Sequence, residues 1–279
     1  MKLSEIYVRD PFILPYNGKY YLYGSRGRDQ SGFDVYTSTD LENWSNPKTI
    51  FSYYDGFWGT RDFWAPEVHF YNGKFYLFAT FINDHSCRGT AILVSETPDG
   101  TFRKHSDGPV TPKNWECLDG TFYVDENNTP YMIFCHEWTQ IQNGTMCAIK
   151  LSTDLKTAAS EPFELWSAGD ASWVTFFRDE GNFVTDGPFL FKLGDELLSL
   201  WSSFSKDGYC EAVARSSNGK IDGSWTIDDK LFYAKDGGHG MIFKGFDGEY
   251  YFIFHTPNSS PDERPSLKRI KLDDLKKTI

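Results

Sequence analysis

The sequence predicts an all-β fold, a five-bladed β-propeller around a central funnel. Three observations predict it. A strand–turn–strand pattern recurs five times along 279 residues. The turns carry residue pairs that tight hairpins need. The second strand of most copies is rich in aromatic residues. A repeat of this length means that one supersecondary unit is reused, because a single unit cannot bury its own apolar face. Units of this kind repeated radially make the blades of a propeller.

The first copy opens at Asp10-Pro11-Phe12, turns at Asn17-Gly18 and continues Tyr20-Tyr21-Leu22-Tyr23. The second opens at Ala65-Pro66-Glu67, turns at Asn72-Gly73 and continues Phe75-Tyr76-Leu77-Phe78. The third runs from Asp119-Gly120-Thr121 through Asn127-Asn128 to Tyr131-Met132-Ile133-Phe134. The fourth runs from Asp186-Gly187-Pro188 through Gly194-Asp195 to Leu197-Leu198-Ser199-Leu200. The fifth runs from His239-Gly240-Met241 through Asp247-Gly248 to Tyr250-Tyr251-Phe252. Third strands follow over 33–37, 90–94, 146–150 and 211–215, each alternating or fully apolar. A weaker fourth strand is expected at the outer edge of each blade. Helix is scarce, with at most a terminal turn over 273–277. The copies tile residues 1–279 and leave no room for a second domain.

An aromatic content of 18% suits strands and the packing between sheets. No run of about 18 apolar residues exists, so no membrane-spanning helix is expected. A formal net charge of −11 argues against a nucleic-acid partner and leaves room for a neutral ligand. The five cysteines (87, 117, 135, 147 and 210) match no metal spacing and read as buried thiols of a reducing, cytoplasmic protein. Met1 leads almost directly into the first copy and no signal peptide is visible, although a trimmed secreted form would read the same.

In a propeller the first strand of each blade lines the central channel. The residues at that register are Asp10, Ala65 to Glu67, Asp119, Asp186 and His239. Three carboxylates and an imidazole are therefore expected to converge. An Asp before Gly or Pro is also ordinary turn chemistry. That reading is serious for one site and weaker for a set recurring at one register.

Arg9-Asp10-Pro11-Phe12, Trp64-Ala65-Pro66-Glu67-Val68, Leu118-Asp119-Gly120-Thr121-Phe122, Asp186-Gly187-Pro188 and Gly238-His239-Gly240 resemble the motifs of glycoside hydrolase family 43, over the whole chain. The resemblance implies a funnel-shaped active site that hydrolyses α-L-arabinofuranosyl or β-D-xylosyl linkages with inversion. It implies Asp10 as general base, Asp119 as the carboxylate that tunes and orients the acid, and Asp186 as general acid. It places His239 on the axis, holding a central water or a structural calcium ion; no cofactor is required.

One departure stands out. The family usually has Glu before the Gly-Pro of blade four, and Asp186 is shorter by one methylene. A catalytic group misplaced by about 1 Å can lose a hundredfold in rate. Glu137 is the leading substitute donor, ahead of Glu67 and Glu116. Sugar binding needs flat apolar surfaces beside hydrogen-bonding groups, and Phe63, Trp64, Trp138, Phe189 and Trp201 lie next to the hub positions. Packing between blades is the plainer role for about half of them, and Trp64 and Trp138 are the better candidates for stacking. Arg264, in a polar segment over 257–266 that reads as irregular, is a candidate to reach the pocket, with a solvated loop position equally open. His239 is also a candidate substrate contact; a lone histidine is weak support for a transition metal.

The partner expected is a pentose-containing oligosaccharide, with neither nucleic acid nor membrane involved and the oligomeric state open. A carbohydrate-binding propeller that has lost its proton donor is the alternative, and a protein-interaction propeller a third reading. Arabinose versus xylose, and exo versus endo action, stay open at this point.

Overall fold

The strand–turn–strand copies form five antiparallel sheets arranged as the blades of a propeller. The chain is described by a computed structural model that covers residues 1–27 and 30–276. Blade one comprises β1 (Arg9–Tyr16), β2 (Lys19–Ser25), β3 (Gly32–Ser38) and β4 (Lys48–Ser52). Blade two comprises β5 (Arg61–Tyr71), β6 (Lys74–Ile82), β7 (Gly89–Ser95) and β8 (Arg103–Lys104). Blade three comprises β9 (Cys117–Val124), β10 (Pro130–His136), β11 (Thr145–Lys150) and β12 (Phe163–Ser167). Blade four comprises β13 (Asp186–Leu193), β14 (Glu196–Ser205), β15 (Gly208–Ser216) and β16 (Trp225–Ile227). Blade five comprises β17 (Gly238–Lys244), β18 (Tyr250–Thr256) and β19 (Arg264–Ile270).

Strands follow chain order from the centre outward, so each blade is a meander. The hairpins explain why the register is fixed. Asn17-Gly18 and Asn72-Gly73 all have positive φ, the geometry that a two-residue turn matching strand twist requires. Among the described residues blade five has three strands rather than four. Its third strand begins at Arg264, inside the segment expected to be irregular. A short 3-10 turn at Leu272–Leu275 overlaps the expected terminal turn over 273–277; Lys277 is outside the described residues. The α1 helix is a single turn, Trp138–Ile141.

Four apolar clusters fill the spaces between blades. One spans blades five, one and two, and the others lie between blades two and three, three and four, and four and five. Phe63 belongs to the first, packed edge-on against Phe81 at 5.2 Å, and Trp201 to the third, 5.3 Å from Trp173. Fully burying one such aromatic contributes about 1.5–3 kcal/mol. All five cysteines are free thiols; four are buried, and Cys87 is half-buried. No helix among the described residues is long and apolar enough to cross a membrane.

Candidate active site

Each first strand is interrupted by a two-residue bulge near its beginning. The bulges are Asp10-Pro11, Ala65-Pro66, Asp119-Gly120, Gly187-Pro188 and His239-Gly240. The first residue of each is left-handed, with φ of 52°, 44°, 55°, 52° and 49°. That conformation costs a non-glycine residue about 1–2 kcal/mol, so something must hold it. At four junctions a side chain from the second strand of the preceding blade accepts the bulge N–H. Ser25 Oγ accepts from Ala65 at 2.7 Å, Thr80 Oγ1 from Asp119 at 2.9 Å, and Ser202 Oγ from His239 at 2.7 Å. His255 Nδ1 accepts from Asp10 at 3.2 Å and closes the ring. Cys135 occupies the equivalent place in blade three. There the Gly187 N–H is bound instead by Asp119 Oδ2, at 3.1 Å.

These bulges bring the three aspartates and His239 together on one cavity of about 390 Å3. Asp10 Oδ2 accepts from Ser25 Oγ at 2.7 Å. Its Oδ1 lies 3.2 Å from His239 Nδ1 and 3.3 Å from Arg9 Nε. His239 Nδ1 is also 3.7 Å from Asp119 Oδ2. Asp186 precedes its bulge and is held by the Tyr209 hydroxyl, which donates to Oδ2 at 3.0 Å. Asp10, Asp119 and His239 are each under one-tenth exposed.

The environments push the carboxyls apart. Burial would raise Asp10, but Arg9 and His239 outweigh it and hold Asp10 well below the usual carboxylate range. Burial, and then the charge of Asp119, push Asp186 up to about 8. Burial raises Asp119 to about 6, against the opposing pull of His239. Burial works against the His239 cation, yet Asp10 and Asp119 lift it to about 10. At neutral pH the site therefore holds two ionised carboxylates, Asp10 and Asp119, one protonated carboxyl, Asp186, and an imidazolium between Asp10 and Asp119. Among the described residues no three His, Cys, Asp or Glu side chains are grouped to hold a metal ion.

Glu137 reaches the cavity wall but is ion-paired to Arg88 and accepts from Thr139 Oγ1 at 3.1 Å. Burial raises it, and Arg88 opposes the rise. Glu116 also accepts from Arg88, through its backbone N–H at 3.1 Å. Glu67 is occupied by Thr121 Oγ1 at 2.6 Å and His69 at 3.0 Å.

Trp64 and Trp138 line the cavity. Arg88 covers one face of Trp64, 4.7 Å from the ring centroid. Three of the aromatic candidates lie elsewhere. Phe63 is 1% exposed and Trp201 0%, both in the cores between blades. Successive strand residues face opposite ways, so Phe63 turns inward while its neighbour Trp64 reaches the cavity. Phe189 packs with Phe12, at 6.4 Å between centroids, and does not line the cavity. Arg264 also misses it, donating to the Pro261 and Glu263 carbonyls and covering Tyr7 at 5.4 Å.

The cavity contains residues that sequence reasoning did not assign: Tyr7, Arg9, Phe177, Arg178, Asn258 and Ser260. Arg9 had a signal, since it stands inside the first motif. Phe177 and Arg178 lie in a loop between β12 and β13 that the repeat does not cover.

A five-bladed propeller with differently protonated carboxyls lining one central cavity defines a glycosidase-type site. The chain belongs to the glycosyl hydrolases family 43, whose model matches residues 4–274. It is similar to the crystal structure of an endo-arabinase from Bacteroides thetaiotaomicron VPI-5482, with 38% identity, 97% of this chain and 96% of that chain covered, and a TM-score of 0.92. An endo-1,4-beta-xylanase from the same organism matches at 26% identity over 97% and 92% of the two chains, with a TM-score of 0.78. Among curated proteins, the extracellular endo-alpha-(1->5)-L-arabinanase 1 of Bacillus subtilis (strain 168) is 24% identical over 50% of this chain and 46% of its own length. A xylosidase/arabinosidase of Thermoclostridium stercorarium is 23% identical over 95% and 62%. The chain spans about half the length of the first curated relatives it matches.

Proposed function

We propose that this chain hydrolyses α-L-arabinofuranosyl linkages, with β-D-xylosyl linkages as the second substrate class, by single displacement with inversion. The observation that carries this reading is the different protonation state of Asp10 and Asp186, which line one cavity. Inversion needs an ionised base and a protonated acid on opposite faces of the sugar, spaced to admit a water. Asp10 takes a proton from that water as its oxygen bonds to the anomeric carbon. The bond to the leaving oxygen breaks, and that oxygen receives the Asp186 proton. Asp119 holds the proton on Asp186 by its charge and anchors the acid-bearing bulge through Gly187. The similarity to an endo-arabinase supports arabinofuranosyl over xylosyl specificity.

The test is proton NMR of the first-formed product from linear arabinan. The β-anomer of the new reducing end is expected to appear first, before mutarotation. Asp10→Asn and Asp186→Asn are each expected to lower turnover by about 10³-fold or more with unchanged circular dichroism. A first-formed α-anomer would contradict inversion. The short Asp186 side chain favours a second reading, a sugar binder. Calorimetric heat with arabinotriose and no product from any arabinoside or xyloside would establish it.

A further inference from the structure

The sequence offered Arg264 as the sugar-facing guanidinium, and the structure turns it away. Arg9 stands in its place. Its side chain is 34% exposed on the cavity wall, while its carboxylate partners Asp10 and Glu263 are 7% and 0% exposed. Arg9 Nε donates to Asp10 Oδ1, Nη1 to Glu263 Oε1 and Nη2 to Asn258 Oδ1, each at 3.3 Å. A guanidinium has five N–H groups, so two are left over at the cavity. The grip is built by blade five. His255 accepts the Asp10 N–H at Nδ1, so its proton sits on Nε2 and is donated to Asn258 Oδ1 at 3.0 Å.

We propose that Arg9 is a substrate-binding residue whose two free N–H groups donate to hydroxyls of the sugar ring being cleaved. The inference rests on the hydrolase reading of the same cavity. A site built to hydrogen-bond hydroxyls discriminates strongly, since buried donors left unpaired are costly.

Arg9 also acts on the base. Asp10 is faced by Arg9 from its own strand, Ser25 from β2, Asp119 from β9, Asp186 from β13, Tyr209 from β15, His239 from β17 and His255 from β18. Removing Arg9 takes away a cation that favours the ionised form. The acidic limb of kcat/KM then moves to higher pH, which a merely structural tie would not produce.

The test uses the full chain, with 4-nitrophenyl α-L-arabinofuranoside as kinetic probe and arabinotriose as calorimetric probe. Arg9→Met is expected to raise KM and Kd about tenfold or more and to shift the acidic limb upward; Arg9→Lys is expected to recover part of each. Glu263→Gln keeps Arg9 but loosens its grip, and is expected to give an intermediate KM. Folded Arg9→Met with wild-type KM, Kd and acidic limb would overturn the proposal. A wild-type chain that binds arabinotriose without cleaving it would contradict hydrolysis alone, and the Kd comparison would still decide the role of Arg9. Absence of arabinotriose heat would overturn both.

Discussion

Asp186 and Glu137 compete for the role of proton donor, and their surroundings separate them. Asp186 is half-buried beside another carboxylate and keeps its proton. Glu137 is paired with Arg88, an arrangement that stabilises the ionised form. Glu137→Gln is therefore expected to leave the pH profile of kcat/KM unchanged, with at most a change in KM. Asp119→Asn should act differently. It deletes the charge that helps raise Asp186, so the alkaline limb, set near pH 8 by Asp186, should move to lower pH. A pH–rate profile of each variant checks both expectations.

At the scale of strands and bulges, the ring of hydrogen bonds explains how remote segments deliver side chains to one place. Thr80, on β6, holds the strained Asp119 backbone. Thr80→Val leaves that buried N–H without an acceptor, a cost of about 1–3 kcal/mol. The melting temperature should fall by about 2–4 °C for each kcal/mol lost, and turnover should fall with it. Calorimetric melting alongside steady-state kinetics measures both. The same scale shows what the sequence could and could not say. Asp10, Asp119 and His239 were legible because the repeat puts them at one register, and the hairpin pairs fixed that register. Phe63 and Trp201 were misplaced because adjacency in sequence does not tell which face of a strand a side chain takes. Asn258 was invisible because its role depends on blade five packing against β1, and Tyr209 because its contact with Asp186 crosses from β15 to β13; neither contact has a local signature. The β19 strand was missed because its polar residues lack the apolar alternation of the inner strands.

For the molecule as a whole, the charged centre links catalysis to stability. Asp186 and Glu211 have folded-state values raised to about 8 by burial. Such groups bind protons more tightly in the folded state, so their contribution is fully present below the unfolded carboxyl range near pH 4 and is lost as pH rises through about 8. Asp10 has the opposite sign: its contribution is present above that range and is lost in acid. The chain should be most stable between these limits. Asp186→Asn, which cannot ionise, should melt higher than wild type at pH 9 and lose this advantage at pH 5. Thermal melts at the two pH values test it.

The central claim is that Asp186 donates the proton to the leaving oxygen while Asp10 activates water. Leaving-group dependence tests it most directly. With 2,4-dinitrophenyl α-L-arabinofuranoside, whose leaving group departs without protonation, Asp186→Asn is expected to keep kcat within about tenfold of wild type, while Asp10→Asn stays inactive. Equal loss of activity by Asp186→Asn on this substrate and on unactivated arabinan would contradict the assignment.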